Sequence, residues 1–183
     1  MRLVIAVTGA SGTLYAQRLL ERLGGRGHEL HVVMSRGGRE VAASELGRLQ
    51  LPPGSLEYPD DQMAAAPFIS GSAQFDAMTV IPCSMGTLGR IAAGLADTVI
   101  LRTADVFLKE KRPLVLVPRE TPLSLVHVRN LAVVMEAGAM VIPAMPGFYR
   151  KPVGVQDLVD SVVDRVLDHL GTPDGKIRRW PGP

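Results

Sequence analysis

Apolar residues run along this chain in short solid blocks, each followed by a stretch in which they recur every three or four positions. Residues 3–7 (Leu-Val-Ile-Ala-Val) are apolar throughout, as in a strand covered on both faces. From Thr13 onward, Leu14, Leu19, Leu20 and Leu23 fall at helical spacing. The alternation continues. Residues 29–34 predict a strand and 39–49 a helix, then 77–81 a strand and 86–93 and 99–109 helices. Residues 114–117 and 140–142 predict short strands, and 125–136 and 155–170 helices. The Pro-, Gly- and Asp-rich stretch 52–71 reads as a long surface loop, and 171–183 as an irregular tail. Strands separated by helices predict βαβ units, hence a three-layer α/β/α domain with a mostly parallel, flavodoxin- or Rossmann-like sheet.

Composition narrows the function classes. A chain of 183 residues makes one domain with a substantial core. The formal charge is +2 with dispersed Lys and Arg, which argues against a nucleic-acid stripe or a membrane-surface helix. Apolar residues make up 46% and aromatics only 4%. That balance asks for a sheet sandwiched on both faces, for an outer surface buried against other copies, or for both. The single cysteine excludes an internal disulfide framework. A core strand at the start and the lack of a membrane-length apolar run predict a cytoplasmic protein.

Open parallel sheets bind ligands at the carboxyl ends of their strands. Here those ends read Thr8-Gly9-Ala10-Ser11-Gly12, then Ser35, then Pro82-Cys83-Ser84-Met85-Gly86-Thr87, Pro118-Arg119-Glu120-Thr121-Pro122 and Pro143-Ala144-Met145-Pro146-Gly147-Phe148-Tyr149. The first turn has two readings: an anion cradle of backbone N–H groups at a helix start, or glycines that serve only a tight turn. Small, hydroxyl, charged and aromatic groups at five strand ends together describe a site for a phosphorylated, partly aromatic ligand. His28, His31, His127 and His169 show no metal-ligand spacing. Cys83 reads as a small buried thiol rather than a nucleophile. Arg102 and Lys109 share a helix face, where a solvated pair with Asp105 or Glu110 is the alternative to a ligand role.

The motifs VTGASG, PCSMGTL, LRTADVFLKEKRPLVLVPRETPLS and PAMPGFYRKP, with a terminal RW, occur in this order. Together they closely resemble the flavin prenyltransferases of the UbiX type. The resemblance implies a dodecamer with FMN bound at subunit boundaries. It also implies transfer of a dimethylallyl group from dimethylallyl phosphate to reduced FMN. The product, prenylated FMN, would serve UbiD-type decarboxylases, such as those of ubiquinone biosynthesis.

Flavin contacts carry over to Gly9, Ala10, Ser11, Ser35, Ser84, Met85, Gly86, Thr87 and Arg119. Prenyl-phosphate contacts carry over to Lys109, Arg119, Glu120, Tyr149 and Arg165, and the tail's Trp180 to closure of the site. Glu45 matches an acid beside the flavin's reacting edge, its alternative role being a partner for local helix charge. Expelling phosphate from an allylic carbon needs positive charge on the leaving oxygens. Lys109, Arg119 and Arg165 are expected to converge near the first turn and supply it without a metal. Stretch 60–72 departs from the family's usual run, which puts one wall of the prenyl pocket in doubt. Two rivals remain: an FMN-dependent peptidyl-cysteine decarboxylase, which would need a catalytic histidine, and a non-catalytic flavin carrier.

Overall fold

In a computed structural model the chain is described over residues 1–177. Six strands form one all-parallel sheet: β1 (Arg2–Val7), β2 (Glu29–Met34), β3 (Leu56–Pro59), β4 (Ala77–Cys83), β5 (Leu114–Pro118) and β6 (Met140–Val141). The spatial order is β3-β2-β1-β4-β5-β6. The chain therefore reverses direction across the sheet between β1 and β4, and a ligand crevice opens where it does so. The α-helices among the described residues are α1 (Thr13–Leu23), α2 (Arg36–Leu46), α3 (Met85–Ala92), α4 (Val99–Lys109), α5 (Leu125–Glu136) and α6 (Val155–His169). Among the described residues no helix is long and apolar enough to cross a membrane.

The solid apolar strands are explained by two cores. Leu3, Ile5 and Val7 of β1 face one way and pack with Leu19, Leu20 and Leu23 of α1 and with Val163, Val166 and Leu167 of α6. Val4 and Ala6 face the other way, toward Leu88 of α3 and Ala104 and Phe107 of α4. With both faces covered, alternation of polar and apolar residues is lost.

Two expectations need correction. The stretch 52–71 is not simply a surface loop: it contains β3 and two short 3-10 turns, Met63–Ala65 and Pro67–Ile69. Phe68 in that stretch is 1% exposed. It lies edge-on to buried His31 and Tyr58, with Phe75 alongside. A four-residue edge strand ending in Pro59 is too short to show a period, and the rings that pack on its Tyr58, those of His31 and Phe68, belong to other elements. Helix α2 also starts three residues earlier than expected, at Arg36 rather than Arg39. Gly37 and Gly38 hide its first turn because glycine is a poor helix former. Gly38 is required by packing, since a Cβ there would clash with the Val7 carbonyl oxygen, and Gly37 is closely packed, a Cβ there lying 3.3 Å from the Gly9 Cα.

Candidate active site

Three helix amino ends meet at the carboxyl edge of β1, β2 and β4. Helix α2 is capped by Ser35, whose Oγ accepts from the Gly38 N–H at 3.0 Å. Helix α3 is capped by Ser84, which accepts from the Thr87 N–H at 3.2 Å and lies 3.0 Å from the Thr87 hydroxyl. Helix α1 has no side-chain cap at Gly12, whose φ of 112° is a left-handed value that favours glycine. Its cap comes from α2 instead. The Glu45 carboxylate accepts from the Gly12 N–H at 3.0 Å and the Thr13 N–H at 2.8 Å. Burial pushes the Glu45 carboxyl up, but hydrogen bonds from Ser11, Gly12 and Thr13 outweigh it and hold it below the usual carboxylate range.

This revises the reading of the first turn as an open cradle. Two N–H groups of the α1 terminus are engaged by the chain's own carboxylate. At α2 and α3 the chain's own caps are neutral hydroxyls, each engaging one N–H, so neither start carries a carboxylate as that of α1 does. Gly9 and Ser11 are exposed, Ala10 is buried, and Ser35, Ser84 and Thr87 are half-buried. Met85 puts its side chain into the core, so a flavin contact there would use its backbone. Thr8, which the motif reading passed over as a site residue, is 1% exposed. Its hydroxyl donates to the Pro82 carbonyl at 2.9 Å and accepts from the Ser84 N–H at 2.8 Å, tying the β1 turn to the start of α3.

Arg119 follows β5 and is exposed, and its charge reaches Tyr15. Burial raises the Tyr15 phenol and Arg119 pulls it back. Tyr15 lies against the first turn, because a Cβ on Gly12 would sit 2.9 Å from its ring. The turn, Glu45, the two serine caps and Arg119 are thus brought together. Glu120 is exposed, and its carboxylate accepts from the Thr121 N–H at 3.1 Å. Burial pushes the Cys83 thiol up to about 12, which keeps it protonated and agrees with a structural thiol.

Lys109 and Arg165 do not converge on the turn within one chain, contrary to expectation. Helix α4 starts beside Asp60, at the carboxyl end of β3, and runs back past the sheet. Lys109, in its last turn, comes just before β5 begins and pairs with Glu110. Arg165 lies on α6 next to Asp164, at the level of Arg22 in the last turn of α1. It is 55% exposed and pairs with Asp168 at 3.3 Å. The reason is geometric: a helix entered from a strand's carboxyl end runs back toward the amino edge, so residues late in α4 and α6 finish far from the strand carboxyl ends. Arg102 pairs with Asp105 at 2.7 Å, the solvated-face reading. Tyr149, on the loop after β6, is 58% exposed. Trp180 lies outside the described residues.

The strand order, the reversal between β1 and β4 and the capped helix starts define an α/β flavoprotein. The Flavoprotein family model matches residues 1–167. The chain is 44% identical over 185 residues to the flavin prenyltransferase UbiX of Methanothermobacter thermautotrophicus, covering 98% of this chain and 95% of that one. It is 45% identical over 183 residues to that of Thermoplasma acidophilum, covering 98% and 100%. This chain belongs to the UbiX flavin prenyltransferase family. The crystal structure of AnUbiX (PadA1) in complex with FMN and dimethylallyl pyrophosphate superposes with a TM-score of 0.91 at 42% identity, covering 99% of this chain and 97% of that one. A dodecameric FMN-dependent UbiX-like decarboxylase from Escherichia coli O157:H7 superposes at 0.90 with 41% identity over the full length of both.

Proposed function

We propose that this chain transfers the dimethylallyl group of dimethylallyl phosphate to N5 and C6 of reduced FMN, producing prenylated FMN for a UbiD-type decarboxylase in the cytoplasm. The observation that carries the reading is the gathering of Ser35, Ser84, Thr87, Glu45 and Arg119 around the first turn. The donor set suits FMN: serine hydroxyls and backbone N–H groups at two helix starts for its phosphate, and a cation beside them. When bound, the reduced flavin ring supplies the nucleophile for the allylic carbon.

The chain's residues have three tasks. Arg119 and Lys109 neutralise the departing phosphate, Arg165 and Tyr149 hold the prenyl donor, and Glu45 carries acid–base work beside Ser11. Lys109, Tyr149 and Arg165 serve the sites of neighbouring copies, in a dodecamer like that of the Escherichia coli relative. Such an assembly is favoured by the exposed Leu125, Val126, Val128 and Met135 of α5, and by Met145 and Phe148.

The decarboxylase rival lacks support in the histidines. His31 is buried between Tyr58 and Glu29, His127 caps α5, and His169 contacts Arg165. His28, half-buried near the start of β2, has no partner on either ring nitrogen among the described residues. None of these contacts reaches the first turn.

The test is anaerobic incubation of protein, reduced FMN and dimethylallyl phosphate, with a parallel reaction on the pyrophosphate, followed by mass analysis of the flavin. The expected outcome is a gain of one five-carbon prenyl unit, larger with the monophosphate. FMN bound but unchanged with both donors would leave a flavin carrier.

A further inference from the structure

Between α1, α6 and the tail lies a cluster of three arginines and three aspartates with no net charge. Arg18 grips Asp160 through Nε at 2.7 Å and Nη2 at 3.0 Å. The Arg22 side chain, 2% exposed, donates to Asp164 Oδ1 and Asp174 Oδ1, each at 2.5 Å. Asp164 is equally buried, and its second oxygen accepts from Arg150 Nη1 at 2.6 Å. Burying charges is costly unless each is paired, so a cluster of this kind asks for a reason.

Holding the tail accounts for part of it. Arg22 binds Asp174, and Arg26 donates to the Thr172 and Pro173 carbonyls at 3.1 and 2.9 Å. That task needs neither Arg150 nor the second oxygen of Asp164. Their contact leads elsewhere. The Arg150 guanidinium lies 5.5 Å from the centroid of the Tyr149 ring, a cation–π distance. Tyr149 itself is largely exposed, on a loop bounded by Gly147 and Gly154. Two backbone groups of that loop are also tied to α6: the Gly147 N–H donates to Ser161 Oγ at 3.2 Å and the Val153 N–H to Asp157 Oδ2 at 3.0 Å. A line of contacts thus runs from the buried face of α1 through Asp164 and Arg150 to an exposed phenol.

We propose that Asp164 is a positioning residue for prenyl-donor binding: by fixing Arg150 it sets the orientation of Tyr149. The claim rests on the prenyl-transfer reading, in which Tyr149 meets the donor. Arg22 completes the device, because it pairs the oxygen of Asp164 that Arg150 leaves.

The test uses the full-length assembled protein loaded with oxidised FMN, so that the donor binds without reacting. D164N, R150Q and Y149F are compared singly and in pairs, by calorimetric titration with dimethylallyl phosphate and by 19F NMR after 3-fluorotyrosine labelling. D164N is expected to weaken donor binding about tenfold, with FMN affinity unchanged, and to have no further effect in the R150Q or Y149F background. In turnover it should raise KM more than it lowers kcat. The fluorine resonance that Y149F removes should move in D164N and in R150Q, while those of Tyr15 and Tyr58 stay. An unmoved Tyr149 resonance in folded D164N, or the same loss of binding in the Y149F background, would overturn the proposal. R150Q leaves the Arg22–Asp164 pair intact, so it gives the same decision should D164N not fold. A wild-type protein that takes FMN but not the donor would count against prenyl transfer instead, and the fluorine shifts would still decide the role of Asp164.

Discussion

Glu45 shows how one side chain can join two tasks. It lies on α2 yet caps α1, so its carboxylate ties together two of the helices that frame the site. Its pKa is held below the ordinary 4.5, so the stability it lends is fully present above that value. That stability is lost as pH falls through the depressed folded pKa. E45Q should therefore retain FMN, lose the acid limb of the stability–pH curve, and stall prenyl transfer. Denaturant midpoints between pH 3 and 7, with turnover at pH 7, check this; wild-type turnover would leave Glu45 a helix cap alone. Thr8 makes a different point, because its hydroxyl serves two buried partners at once. T8V removes both hydrogen bonds and should cost about 1–3 kcal/mol, while T8S should restore most of it. Urea midpoints measure both. Thr8 could be read in the motif, but its role depends on Pro82 and Ser84, more than seventy positions away.

Among the elements, the crossover helices explain both the site and its gaps. Their first turns lie at the carboxyl edge, and so Ser35 and Ser84 reach it from separate parts of the sequence. Their last turns lie at the other edge, and so Lys109 is carried away. Helix α2 shows how tightly these starts are packed. G38A would set a Cβ 2.4 Å from the Val7 carbonyl and push the Ser35 cap away from β1. The expected result is a loss of about 1–3 kcal/mol in urea unfolding, together with weakened FMN fluorescence quenching. A variant with wild-type FMN affinity would separate the α2 start from the flavin site. Helix α4 is observed over the very residues its apolar spacing predicts, 99–109, and the structure adds the Thr98 cap at its start. Strand β3 was not legible, since it has four residues and its support comes from β2, more than twenty positions earlier, and from the rings of His31 and Phe68 packed on Tyr58.

For the whole molecule, a single chain gathers only part of the proposed catalytic set. If neighbours supply Lys109, two inactive variants should rescue each other. Coexpressed K109M and R119M chains, mixed at random in one oligomer, should leave roughly a quarter of sites with both cations intact. Prenylated FMN formed by the mixed oligomer, against none from either parent, is the expected outcome. No recovery in a verified mixed oligomer would mean that both residues serve one chain's site. The apolar residues of α5 belong to the same picture. Their periodicity predicted a helix over 125–136, which is observed, yet only Val134 of it is buried in the chain.

From the sequence alone came the alternating elements, the parallel sheet and the strand ends that carry the site, because helix and strand periods and turn chemistry are local properties of the backbone. The family followed too, from five motifs in order. Folding in three dimensions assigned the rest: the carboxylate that answers the α1 terminus, the burial of Phe68, the Asp164–Arg150 link, and the separation of Lys109 and Arg165 from the turn. Each of these is a distance between residues far apart along the chain. Such distances follow from how helices cross a sheet and pack, which no local pattern encodes.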